Sequence, residues 1–191
     1  MSSSFTRQER RQPRVPRALD EETLQALALR YVERYATTRM KLLRYLARKL
    51  SERGWLEDAE RPADLEALAD RFVALGYVDD RLYGEAKARG LGARGYGRRR
   101  VEGALKAAGV AETLREEITL TLDAKTALLT LARRRRFGPF AREAPDRDVA
   151  RKQFAAMVRA GHAPDLVARL MQFDDAEALM TEWQEEDVDH F

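Results

Sequence analysis

Two stretches of this chain spell the same helix ending. Leu46-x3-Leu50-x3-Gly54-Trp55 is answered by Val101-x3-Leu105-x3-Gly109-Val110: apolar residues one turn apart, a glycine stop, and an apolar residue after it. A fainter third version reads Gln153-x3-Met157-x3-Gly161, with glutamine in place of the upstream apolar residue. The copies stand about 50 residues apart, and self-similarity at that period means a tandem array of helical units, each too small to bury its own face. No segment keeps the strict alternation of a half-buried strand, so the expected class is all-α.

The helices can be placed from caps and spacing. After Asp20, Leu24, Leu27, Tyr31 and Tyr35 recur at three- and four-residue steps. Thr37 and Thr38 offer a cap for a second helix carrying Leu42, Leu43, Leu46 and Leu50. A third is expected from about Pro62 to Leu75, with Leu65, Leu68, Phe72 and Leu75 inward and Gly76 closing it. In the second unit Asp79 and Asp80 cap a helix through Leu82, Tyr83 and Ala86; the stretch from Gly90 to Gly97 breaks it; Arg98 to Ala108 forms the next. In the third, helices are expected over Asp123 to Arg136, Asp146 to Ala160 and Ala163 to Met171. The expected units are therefore three-helix repeats at 19–76, 77–121 and 122–173. A polar, basic arm at 1–18, with Pro13 and Pro16, is expected to be disordered. An acidic tail at 174–191 has Ala176, Leu179, Met180 and Trp183 at helical spacing; a short amphipathic helix there could dock on a basic groove.

Composition removes several chemistries. There is no cysteine, so no disulfide, thiol nucleophile or thiolate metal site; two histidines, His162 and His190, are too few for a usual zinc site. Three of the four serines, Ser2, Ser3 and Ser4, sit at the start with only Ser51 beyond them, which leaves a serine hydrolase little to build on. No catalytic residue, cofactor or metal is expected. No apolar run reaches the length of a membrane span, and the first residues lack the apolar core of a secretory signal, so the cytoplasm is the expected compartment. Charge is displaced along the chain: Met1–Arg17 carries five arginines and one acid, Asp174–Phe191 eight acids and no Lys or Arg. Arginine supplies 29 of the 35 basic residues, and its planar fork suits phosphate or carboxylate partners.

The run Leu75-Gly76-Tyr77-Val78-Asp79-Asp80-Arg81-Leu82-Tyr83, followed by Gly95-Tyr96-Gly97-Arg98-Arg99-Arg100-Val101 and the Leu105-x3-Gly109 ending, resembles the signature of the RecX family, bacterial regulators of the RecA recombinase. Tyr45 to Gly54 is similar to that family's first-repeat helix, and Arg133-Arg134-Arg135-Arg136-Phe137-Gly138 with Lys152 to Gly161 to its third repeat. The likeness covers roughly Leu24 to Met171. It departs at Thr37-Thr38-Arg39-Met40 and in the acidic tail. It implies an elongated, curved array of three tandem three-helix repeats that lies in the groove of a RecA filament on single-stranded DNA and inhibits its recombinase and ATPase activity in DNA repair and recombination. A monomer without a catalytic step is expected. The alternative is a helical module that binds DNA directly, without RecA.

The strongest local constellation is Arg94, Tyr96, Arg98, Arg99 and Arg100, at a glycine-rich loop opening a helix. There the glycines permit close backbone approach, a helix N-terminus attracts anions, and arginines grip phosphates or acidic side chains. Arg133, Arg134, Arg135 and Arg136 form a second candidate at a helix C-terminus, where the dipole already welcomes cations. Both sets are expected to bind the partner, with weak direct DNA contact through the arginines possible in principle. Asp79 and Asp80 read as caps, His162 as a helix-end residue, and Trp55, Phe72, Tyr77, Phe137 and Phe154 as packing between helices.

Overall fold

The computed structural model describes residues 17–57, 59 and 61–188, and among these the chain is helical. The expected basic arm therefore lies outside the described residues, save for Arg17 and Ala18. The elements are α1 (Glu21–Arg34), α2 (Arg39–Arg53), α3 (Leu65–Ala74), α4 (Asp80–Gly92), α5 (Arg98–Ala108), α6 (Glu112–Leu120), α7 (Ala124–Arg135), a 3-10 turn at Gly138–Phe140, α8 (Arg147–Arg159), α9 (Pro164–Leu170) and α10 (Ala176–Val188). No helix among the described residues is long and apolar enough to cross a membrane.

Short polar side chains decide where most of these helices start. Asp20, Thr38, Asp64, Asp79, Asp123 and Asp146 each accept the backbone N–H three residues on, satisfying one of the donors a helix leaves open at its N-terminus. Two expectations fail at helix boundaries. Asp64 is the cap of α3, so that helix begins at Leu65 and not near Pro62. It also ends before Leu75, which is not inward but 59% exposed. The break expected from Gly90 to Gly97 falls in its later part, since α4 runs on to Gly92: Ala88 and Leu91 are buried on one face, and that packing outweighs the roughly 1 kcal/mol that helical glycine costs. The turn comes later, at Gly95, whose φ is +79°.

Three apolar clusters hold the helices. Leu19, Leu24, Ala28, Leu42, Leu43, Leu46, Ala69, Phe72 and Val78 bury one another within α1–α3 and their flanks. Ala88, Leu91, Val101, Leu105, Ala108, Val110 and Ile118 form a second cluster among α4–α6. Leu128, Leu131, Ala132, Met157, Val167 and Leu170 form a third among α7–α9, and α10 adds Leu179 and Trp183 to it. The acidic segment is thus a further helix of the third core and not a strap laid over a basic groove. It meets the Arg133–Arg136 run at Arg133, whose terminal nitrogen lies 3.1 Å from Met180 Sδ. Gln153, the odd residue in the third helix ending, is buried, and its Oε1 accepts the Gly138 N–H at 2.8 Å, which holds the 3-10 turn against α8.

The groups meet end to end. At the first junction the last carbonyls of α5 receive donors from the start of α2: the Thr38 hydroxyl donates to Ala108 O at 2.5 Å and the Arg44 guanidinium to Ala107 O at 2.8 Å. The Arg39 N–H donates to the Asp80 carboxylate at 2.8 Å, while its guanidinium holds Asp70 at 2.6 Å and Glu66 at 2.7 Å. Those two carboxylates, Asp70 first, raise the Arg39 pKa further above its ordinary value. At the second junction the carbonyls that end α8 receive donors from the start of α5: Gly97 N–H to Ala160 O at 3.0 Å and Arg99 N–H to Gly161 O at 3.1 Å. The N-cap residue of one group, Thr38 or Gly97, thus donates to the Ala-Gly ending of the next, Ala108-Gly109 or Ala160-Gly161.

Candidate interaction surface

The second junction organises both arginine sets. Gly95 and Gly97 frame Tyr96 between α4 and α5, and neither glycine has room for a side chain. A Cβ on Gly97 would stand 2.4 Å from the Gly161 carbonyl carbon, and one on Gly95 2.8 Å from Leu131 N. Close backbone approach is therefore real, but it is spent on α8 and α7. The same contact takes up the Arg99 amide, so the α5 N-terminus is not the open anion site that the glycine-rich spacing suggested.

Behind the loop, His162 is 2% exposed and its Nε2 lies 3.0 Å from Gly95 O, so that nitrogen carries the proton and donates. Burial pushes the imidazole pKa below its ordinary value, opposed by the contact with Gly95. Its Nδ1 has no hydrogen-bond partner among the described residues. His162 is thus a bridge between two groups and more than a helix-end residue. Tyr96 is half-buried against the second core, and the Arg100 guanidinium sits 5.8 Å from its ring centre. Of the first arginine set, Arg94 Nε donates to Gly90 O at 2.9 Å, while Arg98 and Arg99 are exposed and carry no ion pair among the described residues.

Leu131, against which Gly95 packs, puts the second set beside the first. Arg134 and Arg135 follow it by three and four residues, hence on the same face of α7 and one turn, about 5–6 Å, further along. Both are exposed without an ion pair among the described residues, as is Arg136. Arg133 points elsewhere: its guanidinium lies 5.4 Å from the Phe140 ring centre, beside Met180, where it packs. The structure therefore places Arg94, Arg98 and Arg99 at the second junction and Arg134 and Arg135 one turn of α7 beyond the Leu131 contact, with Arg136 following at the helix end, and gives Tyr96 and Arg133 packing contacts. Phe72 is buried as expected of a packing residue, whereas Tyr77 is 53% exposed, with its ring centre 5.5 Å from that of Phe72. Among the described residues no three His, Asp or Glu side chains gather as a metal-binding group.

Sequence reasoning missed Asp80 as a junction residue. Asp79 supplies the cap, freeing Asp80 to reach a backbone N–H 41 positions earlier; the doubled aspartate was the available signal, since one helix start needs only one cap.

Small helical groups coupled end to end, with a cationic fringe at a coupling, define an all-helical array whose exposed chemistry suits an acidic or phosphorylated partner. No family model matches the chain. A regulatory protein RecX of Myxococcus xanthus is 31% identical over 174 residues, covering 87% of this chain and 93% of the relative. One from Agrobacterium fabrum is 33% identical over 61% of this chain and 66% of the relative, and one from Thermus thermophilus 36% identical over 58% and 70%. The crystal structure of RecX from Lactobacillus salivarius superposes with a TM-score of 0.60 at 18% identity, over 79% of this chain and 94% of that one. A second RecX crystal structure gives 0.59 at 16% identity, over 80% and 71%. The chain belongs to the RecX family.

Proposed function

We propose that this chain regulates the RecA recombinase by binding the RecA filament on single-stranded DNA, and that it inhibits the filament's ATP hydrolysis and strand exchange without a catalytic step of its own. The observation that carries the reading is the 31% identity along 93% of a protein named regulatory protein RecX. Three tandem repeats, 19–76, 77–121 and 122–173, give a surface long enough to meet several subunits of a polymer, where weak contacts act together. The contact residues are the guanidiniums at the second junction: Arg94, Arg98, Arg99, Arg134, Arg135 and Arg136, with Arg100 extending the row. Tyr96 and Arg133 serve by shaping it. The protein acts as a monomer in the cytoplasm and needs no cofactor.

The test is binding of the purified chain, at physiological salt, to a single-stranded oligonucleotide alone and to the same oligonucleotide coated with RecA and a slowly hydrolysed nucleotide, with ATP hydrolysis followed in parallel. Binding confined to the coated DNA, with slower hydrolysis, is the expected result. Equal binding to bare DNA, falling steeply with salt and leaving hydrolysis unchanged, would replace the reading with that of a direct DNA-binding module.

A further inference from the structure

Among the described residues one non-glycine has a positive φ, and it is an arginine. Arg136 follows the last turn of α7 at φ 55°, ψ 52°, the left-handed position where helices end most cheaply on glycine. Its backbone does what a glycine would do there: its N–H donates to Arg133 O at 3.2 Å, and the next N–H, of Phe137, to Ala132 O at 2.9 Å. Nothing in that hydrogen bonding needs the side chain, which is exposed and has no partner among the described residues. Among the described residues the other helix ends with positive φ, at Gly54, Gly76, Gly109 and Gly161, carry glycine. An exposed arginine in a backbone conformation that costs it stability, with no side-chain hydrogen bond or ion pair among the described residues, points to a use for that side chain outside the fold.

We infer that Arg136 is a partner-contact residue, held in a strained conformation to complete one cationic surface with Arg134 and Arg135 of α7 and Arg94, Arg98 and Arg99 of the loop and α5, and that this surface takes carboxylates of an acidic protein face. The inference rests on the filament reading above and assigns the filament's protein component, not its DNA, to this surface. Two observations favour carboxylates over a single-stranded nucleic acid. Tyr96, the aromatic ring of the loop, is half-buried against the second core with the Arg100 guanidinium 5.8 Å from its ring centre, so it is engaged in packing and by a cation and not presented for base stacking. Of the amides at the start of α5 that could cradle a phosphate, those of Gly97 and Arg99 already donate to Ala160 O and Gly161 O. What is left is a set of forks, which pair bidentately with carboxylates.

The test is Arg136→Gly in the full chain, with Arg136→Lys beside it. Removing the strain should raise the melting midpoint of Arg136→Gly by roughly 2–4 °C. Loss of the fork should weaken binding to the RecA-coated oligonucleotide by roughly three- to tenfold. Arg136→Lys keeps both the charge and the strain, so it should melt like the wild type and bind in between. Soluble poly-L-glutamate should compete with the filament for the wild type better than an oligo(dT) of equal charge. A glycine variant that is more stable and binds as tightly as the wild type would overturn the inference, as would one that melts lower, which would show an internal role for the side chain. Better competition by oligo(dT) would assign the surface to phosphate. If the wild type fails to bind the filament at all, the functional reading falls; weaker poly-L-glutamate binding by Arg136→Gly would still support the carboxylate surface, and unchanged binding would end it.

Discussion

Replacing Gly97 by alanine should uncouple the second and third helix groups. The backbone at Gly97 is one alanine adopts freely, with φ −79°, so the whole effect is steric. The new Cβ would lie 2.4 Å from the Gly161 carbonyl carbon and oxygen and 2.5 Å from His162 N. These are backbone atoms at a helix end and cannot rotate away, so the groups must separate by about 1 Å or more to restore contact distances. That separation breaks Gly97 N–H to Ala160 O and Arg99 N–H to Gly161 O, and draws His162 from Gly95 O. At about 1 kcal/mol net per hydrogen bond the loss is about 3 kcal/mol, or a fall in melting midpoint of roughly 6–12 °C for a chain of this size. The control is Gly103→Ala, inside α5 with nothing within 4 Å of the new Cβ, which should stabilise by about 0.5–1 kcal/mol as glycine leaves a helix interior. Circular dichroism melts and urea titrations of the two variants read the difference directly. A Gly97→Ala protein melting within about 2 °C of the wild type would refute the claim that this contact couples the groups.

Other perturbations probe the rest of the architecture. His162 is held neutral, with its folded pKa below the unfolded one, so stability should be flat above pH 7 and decline as pH falls below about 6.5 toward the folded value; urea midpoints at pH 7.5 and 5.5 should differ less in His162→Gln than in the wild type. Thr38→Val removes both the cap on Lys41 N–H and the donor to Ala108 O, and should cost about 1–3 kcal/mol, measured by urea titration. Leu179→Ala should cost about 2–5 kcal/mol, because Leu179 is fully buried in the third core; a loss under about 0.5 kcal/mol would mean that α10 is not part of it.

Much of the fold was legible because its signals are local. Aspartates three residues before an amide, apolar residues at helical steps, and glycines at Gly54 and Gly109 mark starts, faces and stops without reference to the rest of the chain. Boundaries slipped where two local signals competed, as at Pro62 against Asp64. The junctions were illegible because their chemistry is backbone to backbone: Gly97 against Gly161 leaves no side-chain pattern, and a glycine that lets in a neighbouring helix looks the same in sequence as one that lets in a phosphate. The packing contacts of Tyr96 and Arg133 were illegible for the same reason, since an aromatic beside cations can be a platform or a cation's resting place. Arg136 was visible as a charge but not as a strained one.

The couplings also have a sense of direction. Each places donors at the start of a second helix and acceptors at the end of the following group's second helix, Thr38 to Ala108 and then Gly97 to Ala160. At one extremity the series is sealed, since Gly54 O is already taken by Leu19 N–H and Leu19 O by Leu56 N–H; at the other, α8 opens on the Asp146 carboxylate, which would repel a further carbonyl. The described array therefore has two unlike ends. An object with unlike ends has no two-fold axis of its own, so along a directional polymer such as the filament proposed above as its partner, its two possible orientations would not be equivalent.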